Sequence, residues 1–196
     1  QLHIHQANWG ESVQSGVQEK ARMIRYEWFD ELMKKQELDY TATAHQANDN
    51  IETFLLNLSR GAGLDGLSGI QSRQGKIIRP LLFAFRTEIE DFLKQEGYTY
   101  CTDSSNLSDD YTRNFIRNRI VPLFHQINPS FDMVMQRNLD NLRAVQVVYR
   151  QGILRMKTEL VHFEPTLPGY KLSMLELAGR NVNEQMMYEL VREFDF

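Results

Sequence analysis

One stretch constrains this chain more than any other: residues 39–70, DYTATAHQANDNIETFLLNLSRGAGLDGLSGI. Residues 40–44 are uncharged and free of Gly and Pro, which predicts a short buried strand. A cluster of His45, Asn48, Asp49 and Asn50 follows at once. Asp49 with Glu52 three residues on suits a capped helix start. Ile51, Phe54, Leu55 and Leu58 then recur at helical spacing, and Gly61 falls where such a helix needs a left-handed residue to stop. Ligands of open α/β sheets bind beyond the carboxyl ends of the strands, so His45 and Asp49 fall where chemistry is usually done. The spacing alone has a plainer reading, with the two acids as helix caps and His45 as a satisfied core histidine.

The flanks repeat this alternation. Residues 2–4 suit a short strand, and Ser15-Gly16-Val17-Gln18 has the form of a capping box. Val17, Ala21, Ile24, Trp28 and Leu32 form one apolar stripe, with Arg22, Arg25 and Tyr26 away from it. Four glycines at 61, 63, 66 and 69 predict a loop in which backbone N–H groups approach a phosphate, or simply a tight connection. Residues 76–82 read as extended and closed by Pro80. Thr87 and Glu90 predict a second capped helix that buries Ile89, Phe92 and Leu93 and stops at Gly97. Residues 98–102 suit another strand, and Asp103 and Asn106 an Asx turn. Arg113 and Arg117, one helical turn apart, share a face in a run without acids. Pro122 fits a helix end.

From residue 131 to about 160 the apolar positions Phe131, Val134, Leu142, Val145, Tyr149, Ile153, Met156 and Leu160 predict one long amphipathic helix. Arg137, Arg143, Arg150, Arg155 and Lys157 fall on its exposed faces. A linker at residues 164–169 leads to a short strand and a helix over 184–193.

Composition narrows the function classes. A net charge of -4 excludes a chain that is basic throughout, so any RNA contact comes from local patches. No apolar run reaches the roughly 20 residues of a membrane span. The single Cys101 rules out a CxxC or four-cysteine metal site within the chain and fits a reducing cytoplasm.

Read together, these segments resemble the tRNA(Ile)-lysidine synthetases, ATP pyrophosphatases of the PP-loop superfamily. The family signature HHxDDxxET, followed by RGxGxxGLxG, stands here as HQANDNIET from His45 and RGAGLDGLSG from Arg60. VQEKARMIRYEWF is similar to QxxARxxRYxxF, the segment at 78–82 to IRPLL, and the run from Asp103 to Arg117 to DxSNxxxxYxRNxxR. Gln46 and Asn48 depart from the family's second His and first acid, which weakens any metal role for Asn48. The superfamily's SGGxDS loop is absent from these 196 residues. The reading therefore expects that loop before Gln1, and expects this chain alone to be inactive.

The resemblance implies an α/β fold: the C-terminal part of a PP-loop (adenine nucleotide alpha hydrolase-like) domain with a parallel sheet over 1–128. A connecting helix at 129–164 and the start of a small, mostly helical tRNA-recognition domain at 165–196 would follow. It implies ligation of free lysine to the wobble cytidine of the CAU anticodon of tRNA(Ile), with ATP and Mg²⁺, in the cytoplasm. His45, Asp49, Glu52, Arg25 and Arg117 would be catalytic. Arg22, Gly61, Gly63 and Arg113 would hold the nucleotide, and Asp49 the metal. A homodimer is the assembly carried with this reading. The alternatives are another PP-loop tRNA-modifying ATPase, such as a thiolation enzyme, or a truncated binding module without catalysis.

Overall fold

The computed structural model describes residues 2–6, 17–100, 112–164 and 169–194. The Ser15 capping box, Cys101, Asp103, Asn106 and the linker residues 165–168 lie outside the described residues. In chain order the first elements are α1 (Val17–Lys35), β1 (Thr41–Ala42), α2 (Ala47–Ser59), α3 (Leu64–Leu67), β2 (Arg73–Gln74), β3 (Ile77–Ile78) and α4 (Arg86–Gln95). Then come α5 (Thr112–Phe115), a π-helical turn (Ile116–Ile120), α6 (Val121–Ile127), α7 (Phe131–Leu160), β4 (Val161–Glu164), β5 (Gly169–Leu172), α8 (Met174–Ala178) and α9 (Glu184–Val191), closed by a 3₁₀ turn (Arg192–Phe194).

Two compact units emerge, one of residues 1–52 and 70–108 and one of residues 53–69 and 109–196. The first unit is built on a three-stranded sheet in the order β1-β3-β2. β1 and β3 run parallel, with Thr41 opposite Ile77, whereas β2 and β3 are antiparallel. Gly75, at φ 58°, turns the chain between β2 and β3, as a two-residue hairpin requires. The described sheet is thus mixed, not the parallel sheet anticipated. The strand expected over residues 40–44 is two residues long, at an edge of the sheet that the described residues form, with Ala42 exposed. Residues 2–4 and 98–100 form no strand; His5 instead stacks on Trp28.

Both expected helix starts in this unit shift toward the N-terminus, by three residues at α2 and by two at α4. α2 begins at Ala47, so Asp49 is its third residue and reaches back to the N–H of Gln46 at 2.9 Å. α4 begins at Arg86, and Glu88, not Glu90, accepts the N–H of Phe85 at 2.7 Å. Glu90 pairs with Arg86 one turn away. In each case the acid at the third helical position does the capping, which is the returning half of a capping box. Gly61 (φ 70°) and Gly97 (φ 72°) end the helices as predicted. Phe92, expected on the buried face of α4, is 57% exposed.

In the second unit the helix does not end near Pro122. The π-helical turn at Ile116–Ile120 leads straight into α6, with Pro122 in its first turn. A proline ring clashes with the carbonyl four residues earlier and offers no N–H, and a widened turn just ahead of it accommodates both defects. α7 buries Phe131, Met135, Leu139, Gln146, Ile153 and Leu160 and exposes Val145. Its end turns into β4, which the sequence did not announce and which pairs antiparallel with β5, the short strand expected after the linker. Leu160, Leu177 and Leu190 form a buried cluster against which Met156, Leu172 and Val182 pack.

Leu190 is fully buried, so truncation leaves a cavity that its neighbours fill only in part. Leu190→Ala is expected to lower stability by about 2–5 kcal/mol. The urea midpoint of the full chain measures it.

Candidate active site

The start of α2 concentrates polar side chains. His45 precedes the helix, half-buried, with Nδ1 2.9 Å from the Thr43 hydroxyl. The Asn48 amide oxygen accepts the Arg86 N–H at 2.9 Å, and the Ala47 N–H donates to the Ala84 carbonyl at the same distance. Asn50 is fully buried and accepts the Ile70 N–H at 2.7 Å. Its Nδ2 has no partner among the described residues. Asp49 is half-buried and oriented by the Gln46 bond. Glu52, one turn along, is only 2% exposed. Arg22 and Arg25 lie on α1 with exposed side chains, and Arg22 sits over the Tyr26 ring at 5.3 Å. Among the described residues no cluster of three His, Cys, Asp or Glu side chains forms a metal cage. A site of one or two carboxylates completed by phosphate oxygens, the usual arrangement for Mg²⁺, needs no such cage. Asp49, the residue expected to hold the metal, supplies one carboxylate at the start of α2.

The remaining predicted residues belong to the second unit. Arg113 lies on α5 and Arg117 on the π-helical turn; both are half-buried, whereas Arg119 is exposed. Gly61 and Gly63 bracket the turn between α2 and α3. Within that loop Gly66 leaves no room for a side chain: a Cβ there would meet the Ala62 Cβ at 2.7 Å. Asn57 donates to the Gly66 carbonyl at 2.8 Å, and Arg143 to the Ser68 carbonyl at 3.2 Å.

Asp65, which the sequence did not single out, gathers this loop onto α7. Its Oδ1 accepts from Gln146 Nε2 at 2.6 Å and from Arg150 Nη2 at 3.0 Å and Nε at 3.3 Å. Its Oδ2 has Arg192 Nη1 at 3.6 Å, and that same nitrogen pairs with Glu189 at 3.0 Å. Burial works to raise the Asp65 carboxyl. The hydrogen bonds from Gln146 and Arg150 and the charges of Arg150 and Arg192 outweigh it and hold the group below the usual carboxylate value. Burial, with the Glu189 charge beside it, pushes the Tyr149 hydroxyl up. The available signal was the spacing of seven between Arg143, Arg150 and Lys157, which sets three cationic positions along one side of a helix.

The PP-loop domain family matches residues 1–124. A tRNA(Ile)-lysidine synthase of Parabacteroides distasonis is 40% identical over 180 residues, which is 92% of this chain and 40% of that protein. One from Porphyromonas gingivalis is 39% identical over 92% of this chain and 38% of its own length. Another, from Thermosipho africanus, is 44% identical over 126 residues, 64% of this chain and 30% of that protein. The chain thus spans about two-fifths of the curated relatives that it matches most fully.

A carboxyl whose folded pKa is depressed contributes stability above its unfolded value, near ~3.9, and loses it as pH falls through the folded value. Asp65→Asn is therefore expected to lower the urea midpoint by a constant amount above about pH 5. The gap should narrow below about pH 4, where the parent loses the same contribution. Denaturation curves at a series of pH values test the sign.

Proposed function

This chain belongs to the PP-loop domain family, and from that premise we propose that it is part of an ATP-dependent tRNA(Ile)-lysidine synthase. The observation that carries the reading is identity near 40% to such synthases over 92% of the chain, through HQANDNIET and the glycine loop. In the proposed reaction the C2 oxygen of the wobble cytidine of a CAU anticodon attacks the α-phosphorus of ATP and pyrophosphate leaves. The side-chain amine of free lysine then attacks C2, loses its proton, and AMP departs with the oxygen.

Each step sets a physical demand. A base carbonyl oxygen is a weak nucleophile, so charge developing on the α-phosphate has to be stabilised. Arg25 and Arg117 are assigned to that task, with Arg22, Arg113 and the backbone at Gly61 and Gly63 assigned to the rest of the nucleotide. A lysine amine of pKa ~10.4 arrives protonated at neutral pH and needs a carboxylate to hold it and a route for its proton. Asp49 is assigned to the lysine or to Mg²⁺, whose role when bound is to neutralise phosphate charge. The Gln46 bond fixes the Asp49 carboxylate at the entrance of α2, and Glu52 is assigned to support it. His45, held by Thr43, is assigned to the nucleotide or the cytidine. Residues 1–128 are assigned to the synthetase domain, 129–164 to a connecting helix and 165–196 to the start of the tRNA-recognition domain. A cytoplasmic location and a homodimer complete the proposal; among the described residues no helix is long and apolar enough to cross a membrane.

Asp49 has a capping role of its own, so the test must separate the two. Asp49→Asn keeps an oxygen that can accept the Gln46 N–H and removes the charge. In the complete protein, incubated with ATP, Mg²⁺, lysine and tRNA(Ile), mass spectrometry of the tRNA should show lysidine. The variant should form it about 100-fold or more slowly, while stability falls by no more than about 1 kcal/mol. Lysidine formation at the parent rate would leave Asp49 a helix cap only. Incorporation of sulfur in place of lysine would favour the thiolation alternative.

A further inference from the structure

We propose that the hollow enclosed by α3, α7 and α9 is a subsite for an unpaired nucleobase bearing an exocyclic amine, presented by single-stranded RNA. The inference rests on the reading that this chain acts on RNA. The hollow holds about 350 Å³, within the range of about 300–1,000 Å³ typical of small-ligand sites, and is lined by Gly63, Leu64, Asp65, Tyr149, Tyr188 and Arg192 among others. All of these residues lie in the second unit.

The polar groups select the ligand. Three donor bonds from Gln146 and Arg150 converge on Asp65 Oδ1 and fix the carboxylate plane. Among the described residues Oδ2 has the longer 3.6 Å contact with Arg192 and no other. Because the carboxyl is ionised and oriented, Oδ2 is suited to accept an N–H, as carboxylates do from the amine of cytosine. A free cation is disfavoured. Asp65 and Glu189 are already balanced by Arg150 and Arg192, so the hollow offers no excess negative charge. What fits is a neutral, donor-bearing ring.

Aromatic surface supplies the second requirement. Tyr188, 58% exposed, forms one wall and the Tyr149 ring another. Base–aromatic stacking is tolerant of sequence and substantial in strength. An adjoining hollow of about 320 Å³ shares Asp65, Tyr149 and Arg192 and adds Arg150 and Lys157.

The test compares binding of short fluorescein-labelled oligocytidylate and oligouridylate to the full chain; uracil has a carbonyl where cytosine has the amine. The cytidylate should bind about 5-fold or more tightly. Asp65→Asn, which keeps an acceptor for Gln146 but removes the charge, should abolish that preference. Tyr188→Ala, at an exposed position, should weaken both oligomers by about 5-fold or more. Equal binding of the two oligomers by the parent, or affinities for both variants within about twofold of it, would overturn the subsite. Displacement of the RNA by ATP at equal concentration would overturn the assignment to RNA. Lysidine formation by the complete protein, measured in parallel, separates the readings. Lysidine without base preference rejects the subsite alone, and base preference without lysidine rejects only the synthase reading. Absence of RNA binding rejects the subsite and leaves the synthase reading to the lysidine assay.

Discussion

The first N–H groups of a helix have no partner within it, and at the start of α2 the way this need is met organises the first unit. Ala47 donates to the Ala84 carbonyl, and the Asp49 carboxylate takes the N–H of Gln46. The side chains of the same turn reach further. Asn48 caps the start of α4 through Arg86, and buried Asn50 holds the chain at Ile70. A backbone N–H withdrawn from water is costly unless bonded, so the oxygens of these asparagines fix where the chain segments around residues 70 and 85 pass. Asn48, a departure from the family signature, thereby has a structural use that an acceptor oxygen suffices to meet. The acid of the pair that is kept, Asp49, combines a cap with the position where chemistry is proposed.

A comparable logic governs the second unit, with charge in place of backbone need. One carboxylate, Asp65, draws an amide and two guanidiniums from helices far apart in sequence onto a four-residue helix inside a glycine loop. The loop is held from its other side by Asn57, and Gly66 leaves room for Ala62. A glycine-rich segment that composition alone would describe as pliable is thereby fastened at several points. Its hydrogen bonds explain why the α7 face carries Arg143, Gln146 and Arg150 at intervals of three and four residues.

Periodicity made the long elements legible: α1, α2, α4 and α7 were visible as apolar stripes, and Gly61 and Gly97 as their stops. Helix starts were displaced because Asp, Thr and Glu satisfy several cap positions equally well on paper. The capping acid at the third position, not the first, decided Asp49 and Glu88. The strand at 40–44 was overestimated because a run of small uncharged residues suits an edge as readily as a buried strand. Pro122 misled for a related reason: its usual conflict with a helix is relieved by a π-helical turn that no residue pattern announces.

The sequence by itself determined the family, the segments where His45, Asp49, Glu52 and the arginines fall, and the alternation of apolar and polar faces. These follow from local chemistry and from motifs written along the chain. Only tertiary structure decided that Asn48 and Asn50 tie distant backbone, that Glu52 is buried, and that Asp65 collects Gln146, Arg150 and Arg192. The reason is that hydrogen bonds and ion pairs between residues some 20 to 130 positions apart depend on chain path, and path is set by the sum of packing choices that no local pattern records.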